Sequence, residues 1–277
     1  MSKKFIELNI GRNKPTFIIA EAGINHDGDL DLAFKMVDTA KAAGSSAIKF
    51  QTYTAEKRAK ADSPIFAGLK QRELSYDQQR KIKEYADQKG LMFFSTPFDP
   101  EAAEFLQSLE VPLMKIASFD IVNKVLLEAV AKTGTPTIIS RGMASREEID
   151  TAVKIFEKYG TEYAILHCVS SYPAPKEEVN LNIINSLLQN YSCPVGYSDH
   201  TLGAEACVYA VALGARIIEK HFTTDKTRSG ADHSMSADGG DIKELVEKIR
   251  QLETMLGNGE IKSLPVEEPI RIYRRET

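Results

Sequence analysis

Cysteine is scarce in this chain. The three present, Cys168, Cys193 and Cys207, are odd in number and lack C-x-x-C spacing, so neither a disulfide scaffold nor a cysteine-built zinc site is indicated. No run approaches the ~18 apolar residues of a membrane-spanning helix. The first ten residues, MSKKFIELNI, include two lysines, but Glu7 interrupts the apolar stretch, which argues against a secretory signal. A basic excess is missing too: 35 Lys+Arg against 39 Asp+Glu leaves −4, with nothing to neutralise a nucleic-acid backbone. Three catalytic signatures are absent: the dinucleotide-binding G-x-G-x-x-G, a Walker-type glycine loop and the G-x-S-x-G elbow. What remains is the composition of a soluble protein of a reducing compartment, the cytoplasm, with 43% hydrophobic and 27% charged residues.

The order of elements is more informative. Eight short apolar, β-rich segments recur: TFIIAEAG from Thr16, SAIKFQTY from Ser46, LMFFSTPF from Leu91, PLMKIAS from Pro112, PTIISRGM from Pro136, YAILHCVS from Tyr163, PVGYSDH from Pro194 and RIIEKHF from Arg216. Segments of helical period lie between them. Residues 29–43 place Leu32, Met36, Val37 and Ala40 on one face, and residues 146–159 do the same with Ile149, Val153 and Phe156. Ser145 with Glu148 and Ser75 with Gln78 read as capping boxes, and Gly44, Gly90, Gly134, Gly160 and Gly214 as helix ends.

Strict strand–helix alternation implies parallel strands joined by right-handed crossovers. Eight units in about 230 residues fit a closed (β/α)₈ barrel better than an open doubly wound sheet. The α/β fold is thus expected to be one TIM-barrel domain over residues 1–256, followed by a linker-like tail over 257–277. The long connection from Thr54 to Leu74 reads as a flap over the barrel mouth.

Polar residues gather at the C-terminal ends of these strands, where barrels of this kind carry their active sites. Glu21, Lys49, Gln51, Ser95, Thr96, Lys115, Ser118, Ser140 and Arg141 come from the first five. The last three give His167, Ser170, Ser171, Ser198, Asp199, His200, Glu219, Lys220 and His221. Lys49 and Lys115 sit among apolar neighbours, where an unpaired ammonium is costly. An anionic ligand cradled with Thr96, Ser118, Ser140 and Ser198 would pair them; so would the carboxylates of Glu21 and Glu219. His200 and His221 close adjacent strands and either share one divalent ion or form ordinary buried hydrogen bonds. His167 reads as a core histidine and Cys168 as packing. Asn25 and His26 are either ligand contacts or a turn held by Gly28.

At these residues the chain resembles the sialic acid synthase family, that of N-acetylneuraminate synthase and its legionaminate and pseudaminate relatives. The matching stretches are FIIAEAGINHDG, AIKFQTY, FFSTPFD, KIAS, II-S-x-GM, LHCVSSYPAP, VGYSDHT and IEKHFTTD with G-x-DH following, spanning residues 17 to 233 in order. The resemblance implies a (β/α)₈ barrel that condenses phosphoenolpyruvate with an N-acylated mannosamine-type sugar and releases phosphate, as a homodimer. It also implies a divalent metal, manganese first, with magnesium or cobalt as alternatives. By this resemblance Lys49, Thr96, Lys115, Ser118, Ser140, Ser170 and Ser198 bind phosphoenolpyruvate, and His200 and His221 hold the metal. Glu21, Gln51, Tyr172 and Asp232 hold the sugar, with Glu21 also the acid/base. Two departures stand out: Arg141 replaces a threonine usual before the glycine of strand five, and the chain stops at Thr277, about where the linker to the family's C-terminal antifreeze-like domain would begin. The chain is then a barrel-only member or part of a longer protein. Other expectations to weigh are an octulosonate- or heptulosonate-phosphate type of synthase, an aldolase, and a non-catalytic sugar-binding barrel.

Overall fold

A computed structural model describes residues 3–11, 13–230 and 232–275. Among them are eight parallel strands closed into a barrel in sequence order: β1 (Phe17–Gly23), β2 (Ala47–Thr52), β3 (Met92–Pro97), β4 (Met114–Ile116), β5 (Thr137–Ser140), β6 (Tyr163–His167), β7 (Val195–Asp199) and β8 (Ile217–His221). Each is followed by a major outer helix: α1 (Leu30–Ala42), α2 (Tyr76–Gln88), α3 (Pro100–Ser108), α4 (Lys124–Lys132), α5 (Arg146–Tyr159), α6 (Asn182–Asn190), α7 (Glu205–Ala212) and α8 (Gly239–Leu256). The expected (β/α)₈ barrel is therefore the fold. No helix among the described residues is long and apolar enough to cross a membrane.

The local signals act as read. Asp29 caps α1 with its carboxylate, and Leu32, Met36, Val37 and Ala40 are buried. Both capping boxes form, at Ser75–Gln78 on α2 and Ser145–Glu148 on α5. The buried face of α5 is Ile149, Ala152, Val153 and Phe156.

Strand parity decides what each residue meets, because successive side chains point to opposite faces. Phe17, Ile19, Ala47, Phe94, Leu113, Ile138, Leu166 and Ile217 fill the barrel interior, plugged at its N-terminal end by Phe5 and Ile10. Their alternates, among them Ile18, Ile48, Phe93, Met114, Ile139, Ile165 and Ile218, pack against the helices. The inward set continues upward as polar residues: Glu21 above Ile19, Lys49 above Ala47, Lys115 above Leu113, Glu219 above Ile217. The apolar lower layers stabilise the barrel, and the polar top layer is left facing the mouth.

Parity also sorts the strand-end polar residues, only some of which face the mouth. Ser95 is on the helix side of β3, bonded at 2.7 Å to Thr52, which donates to Gln79 of α2. His167 lies outward, its Nε2 2.6 Å from the Val179 carbonyl, as a buried, satisfied histidine. Asp199 and Lys220 pair outside the barrel. Arg141 is turned the same way, its Nε donating to His167 Nδ1 at 3.2 Å. Cys168, one residue beyond His167 and of opposite parity, lines the mouth cavity instead of packing in the core.

The connection after β2 carries two short helices, Ala55–Arg58 and Phe66–Gln71. Tyr53 Oη donates to the Leu69 carbonyl and Ala55 N to Glu73, tying both ends down. Gly28, at φ +77°, lets the β1 loop pass against the flap: a Cβ there would lie 2.3 Å from the Gln71 carbonyl oxygen. Residues 257–275 are exposed, with 3₁₀ turns over Pro265–Tyr273.

Candidate active site

The inward top layer surrounds a cavity of about 230 Å³ at the C-terminal end of the barrel. Twelve of the expected site residues line it: Glu21, Lys49, Gln51, Thr96, Lys115, Ser118, Ser140, Tyr172, Ser198, His200, His221 and Asp232. Ser170 does not; its hydroxyl lies 3.0 Å from that of Ser118 and so stands behind it. Gly142 makes that approach possible, since a Cβ there would come within 2.4 Å of Ser118 Cβ and 2.8 Å of Ser170 Oγ. Asn25 and His26 belong to the turn. Asn25 donates to the Phe222 carbonyl and to Ser236, and His26 Nδ1 accepts from Gly28 N.

Two lysines and two glutamates form the floor. Lys49 Nζ is 2.6 Å from Glu21 Oε2 and 3.6 Å from Glu219 Oε2, and Lys115 Nζ is 3.7 Å from Glu219 Oε1. All four side chains are buried. Pairing with strand-end carboxylates, one of the two sequence readings for these lysines, is thus what the ligand-free barrel adopts. It does not displace the hydroxyl set: Lys49 donates to Thr96 at 3.0 Å, Lys115 to Ser140 at 2.6 Å, and Ser198 to Glu219 at 2.7 Å.

The glutamates are not equivalent. Burial holds Glu21 well above the ordinary carboxylate range, only partly offset by Lys49. Burial acts on Glu219 as well, but Lys115, Lys49 and the Ser198 hydroxyl outweigh it and keep its carboxyl low. One carboxylate can therefore carry a proton near neutrality while its neighbour stays ionised. Burial also lowers Lys115.

His200 and His221 lie with ring centroids 5.3 Å apart, and Tyr172 packs on both at 4.2 and 5.7 Å. His200 Nδ1 lies 2.6 Å from the Val169 carbonyl, so that nitrogen carries the proton and Nε2 is left as a lone-pair donor. His221 Nδ1 is buried without a hydrogen-bond partner. Burial depresses both imidazoles, with His200 adding to the effect on His221, which falls to about 3. Two neutral imidazoles, one oriented by a backbone carbonyl and one with an unsatisfied ring nitrogen, fit a divalent ion. No group of three or more His, Cys, Asp or Glu side chains suited to a metal occurs among the described residues, so further ligands would be water or substrate oxygen.

Residues that the sequence reading did not assign also line the cavity: Arg58 and Phe98 beside the flap, Ala117 and Phe119 after β4, and Cys168. Cys168 was legible from parity alone. Burial raises its thiol, which makes it a poor nucleophile. Arg58 carried no such signal, being one cation among several in a charged loop.

Comparison with known proteins gives a consistent set of relatives. The sequence profile of the NeuB family matches residues 36–261. An N,N'-diacetyllegionaminic acid synthase of Legionella pneumophila is 41% identical over 286 residues, covering 96% of this chain and 80% of its own. The N-acetylneuraminate-9-phosphate synthase of Homo sapiens is 39% identical over 272 residues, covering 93% and 76%. The crystal structure of the N-acetylneuraminic acid (sialic acid) synthetase from Leptospira borgpetersenii serovar Hardjo-bovis, in complex with citrate, superposes with TM-score 0.92 at 44% identity, covering 96% of this chain and 93% of that one.

Proposed function

This chain belongs to the NeuB family, and on that premise we propose that it condenses phosphoenolpyruvate with an N-acylmannosamine-type sugar to form a nonulosonic acid and inorganic phosphate. The observation that carries the reading is the floor of the cavity. Two buried lysines are backed by hydroxyls and held by two glutamates of opposite proton affinity.

The chemistry follows from those groups. Phosphoenolpyruvate brings a phosphate and a carboxylate, and Lys49 and Lys115 pair with them, drawing on the hydroxyls of Thr96, Ser118, Ser140 and Ser198. A divalent cation, manganese by preference, held by His200 and His221 would act as a Lewis acid toward the acceptor aldehyde. The C3 carbon of phosphoenolpyruvate forms a bond to the aldehyde carbon, and the aldehyde oxygen takes up a proton. Glu21, raised by burial to about 7 and placed beside the reacting centre, is the donor. Water then adds at C2 and gives up a proton, for which the Glu21 carboxylate is the acceptor. The tetrahedral phosphate hemiketal loses phosphate by cleavage of its C2–O bond, leaving the 2-keto acid. Lys49 and Lys115 stabilise the charge that develops on the departing phosphate. Glu219, ionised throughout, keeps the two lysines oriented.

Gln51, Tyr172 and Asp232 stand above this floor and would hold the sugar, and Ser170 would act through Ser118. A cytoplasmic homodimer is in keeping with three free cysteines and with the family. The test is release of phosphate from phosphoenolpyruvate with manganese and a panel of mannosamine derivatives. Phosphate with an N-acyl sugar is the expected result. Pyruvate without phosphate would mean an aldolase, and no turnover with any acceptor a binding barrel; either overturns the reading.

A further inference from the structure

We propose that Arg58, on the flap, determines acceptor specificity, and that as a lone cation on a cavity wall it shares with Asp232 it selects an unphosphorylated sugar. The inference rests on the condensation reading above and concerns what that reading leaves open. The product numbering of the relatives poses the question. Phosphoenolpyruvate adds three carbons, so a nonulosonate phosphorylated at C9 derives from a hexosamine phosphorylated at C6. The human relative is named for a 9-phosphate product, the Legionella relative for an unphosphorylated one.

Lys49 and Gln51 share the inward face of β2, Gln51 one layer nearer solvent. The floor cations are committed to the glutamates and hydroxyls beneath phosphoenolpyruvate. Above them, among the described residues, Arg58 is the cation lining the cavity. Of the other flap cations, Lys57 pairs with Asp99 and Glu101, Lys70 with Glu56 and Glu73, and Arg72 with Asp27, while Lys60 is exposed. Arg141 is turned away onto His167.

The Arg58 guanidinium is fixed by stacking, 3.8 Å from the Phe98 ring centroid and 4.6 Å from that of Tyr53. Its Nη1 donates to Gln51 Oε1 at 2.8 Å, which leaves Gln51 Nε2 to donate to Glu21 Oε1 at 3.4 Å. Arg58 thereby sets which end of the Gln51 amide faces the acid/base, and its remaining N–H groups are available to a sugar oxygen. The carboxylates acting on it include Asp120, on the loop after β4, and Asp232, on the cavity wall. A single guanidinium on a wall that also carries Asp232 suits a neutral hydroxyl or acyl oxygen. A phosphate dianion at this level would find no cluster of cations to pair with.

The experiment measures steady-state kinetics and calorimetric binding for N-acetylmannosamine and its 6-phosphate, using the wild-type chain, Arg58→Met, Arg58→Lys and Asp120→Asn. Wild type should prefer the unphosphorylated sugar by tenfold or more in kcat/KM. Arg58→Met should raise the sugar KM by roughly ten- to a hundredfold, the size of a lost charge-assisted hydrogen bond, with the phosphoenolpyruvate KM within about twofold. Arg58→Lys, which keeps the charge but not the stacked fork, should fall between. Asp120→Asn should narrow the preference. A wild-type preference for the 6-phosphate, or an equal rise in both KM values in Arg58→Met, overturns the proposal. Absence of phosphate release with either sugar would instead fell the condensation reading, and the calorimetric ranking would still decide the role of Arg58.

Discussion

Strands β7 and β8 carry two buried ion-pair systems one residue apart, and they differ in completeness. On the helix side, Asp199 accepts from Lys220 at 2.7 Å, Thr201 N at 2.8 Å, Tyr197 Oη at 3.1 Å and Cys207 Sγ at 3.1 Å. Lys220 also donates to the Thr201 carbonyl at 2.6 Å. On the mouth side, Lys115 stands 3.7 Å from Glu219, and Glu219 Oε2 lacks a hydrogen-bond partner, as does His221 Nδ1. In the outer system both Asp199 oxygens and the Lys220 ammonium are satisfied, and the unpaired group is the uncharged Thr201 hydroxyl. The inner one is short of partners, and a ligand can supply them. Satisfaction of buried polar groups thus separates a structural ion pair from a site on neighbouring residues of the same strands.

Substitutions can break this comparison. The largest effect is expected from His200→Ala and His221→Ala, each of which should abolish manganese binding and turnover while the barrel stays folded. Manganese titration checks this, and wild-type affinity in either variant would remove that histidine from the site. Lys220→Met should cost about 3–5 kcal/mol of stability in a denaturant titration, because it leaves Asp199 buried and uncompensated. Lys115→Met is the counterpart. It should weaken phosphoenolpyruvate by roughly 2–5 kcal/mol, with much less effect on the sugar, and cost less stability than Lys220→Met. Equal loss for both ligands would mark Lys115 as structural. The smallest change sharpens the boundary: Ser170→Ala should weaken phosphoenolpyruvate by about 1 kcal/mol, since Ser170 acts through Ser118. A loss as large as that of Ser118→Ala would put Ser170 in direct contact with the ligand.

Much of the site was legible before any coordinates. The segments AIKFQTY, PLMKIAS and RIIEKHF place Lys49, Lys115 and Glu219 at the same height on their strands, because eight equal strand–helix units leave little freedom in where each strand stops. The reading erred where it took the wrong parity as inward or left parity aside. Cys168, expected to pack, lines the cavity, while Arg141, Asp199 and Lys220, gathered with the mouth residues, point to the helices. That information was in the sequence, since alternation is a property of any strand. Arg58 was not recoverable in this way. It lies in a connection of 21 residues, Thr54 to Leu74, that includes several other cations, and no period relates it to the barrel.

The sequence by itself determined the number and order of the strands, the caps that start α2 and α5, and the inward polar layer, because each depends on residues near in the chain. Tertiary structure alone decided which cation enters the cavity, which glutamate is raised by burial and which histidine nitrogen is left unpaired. Those outcomes depend on distances between strands and loops far apart in sequence, and on burial. Both arise only when the barrel closes and the flap folds back onto Phe98 and Gln51.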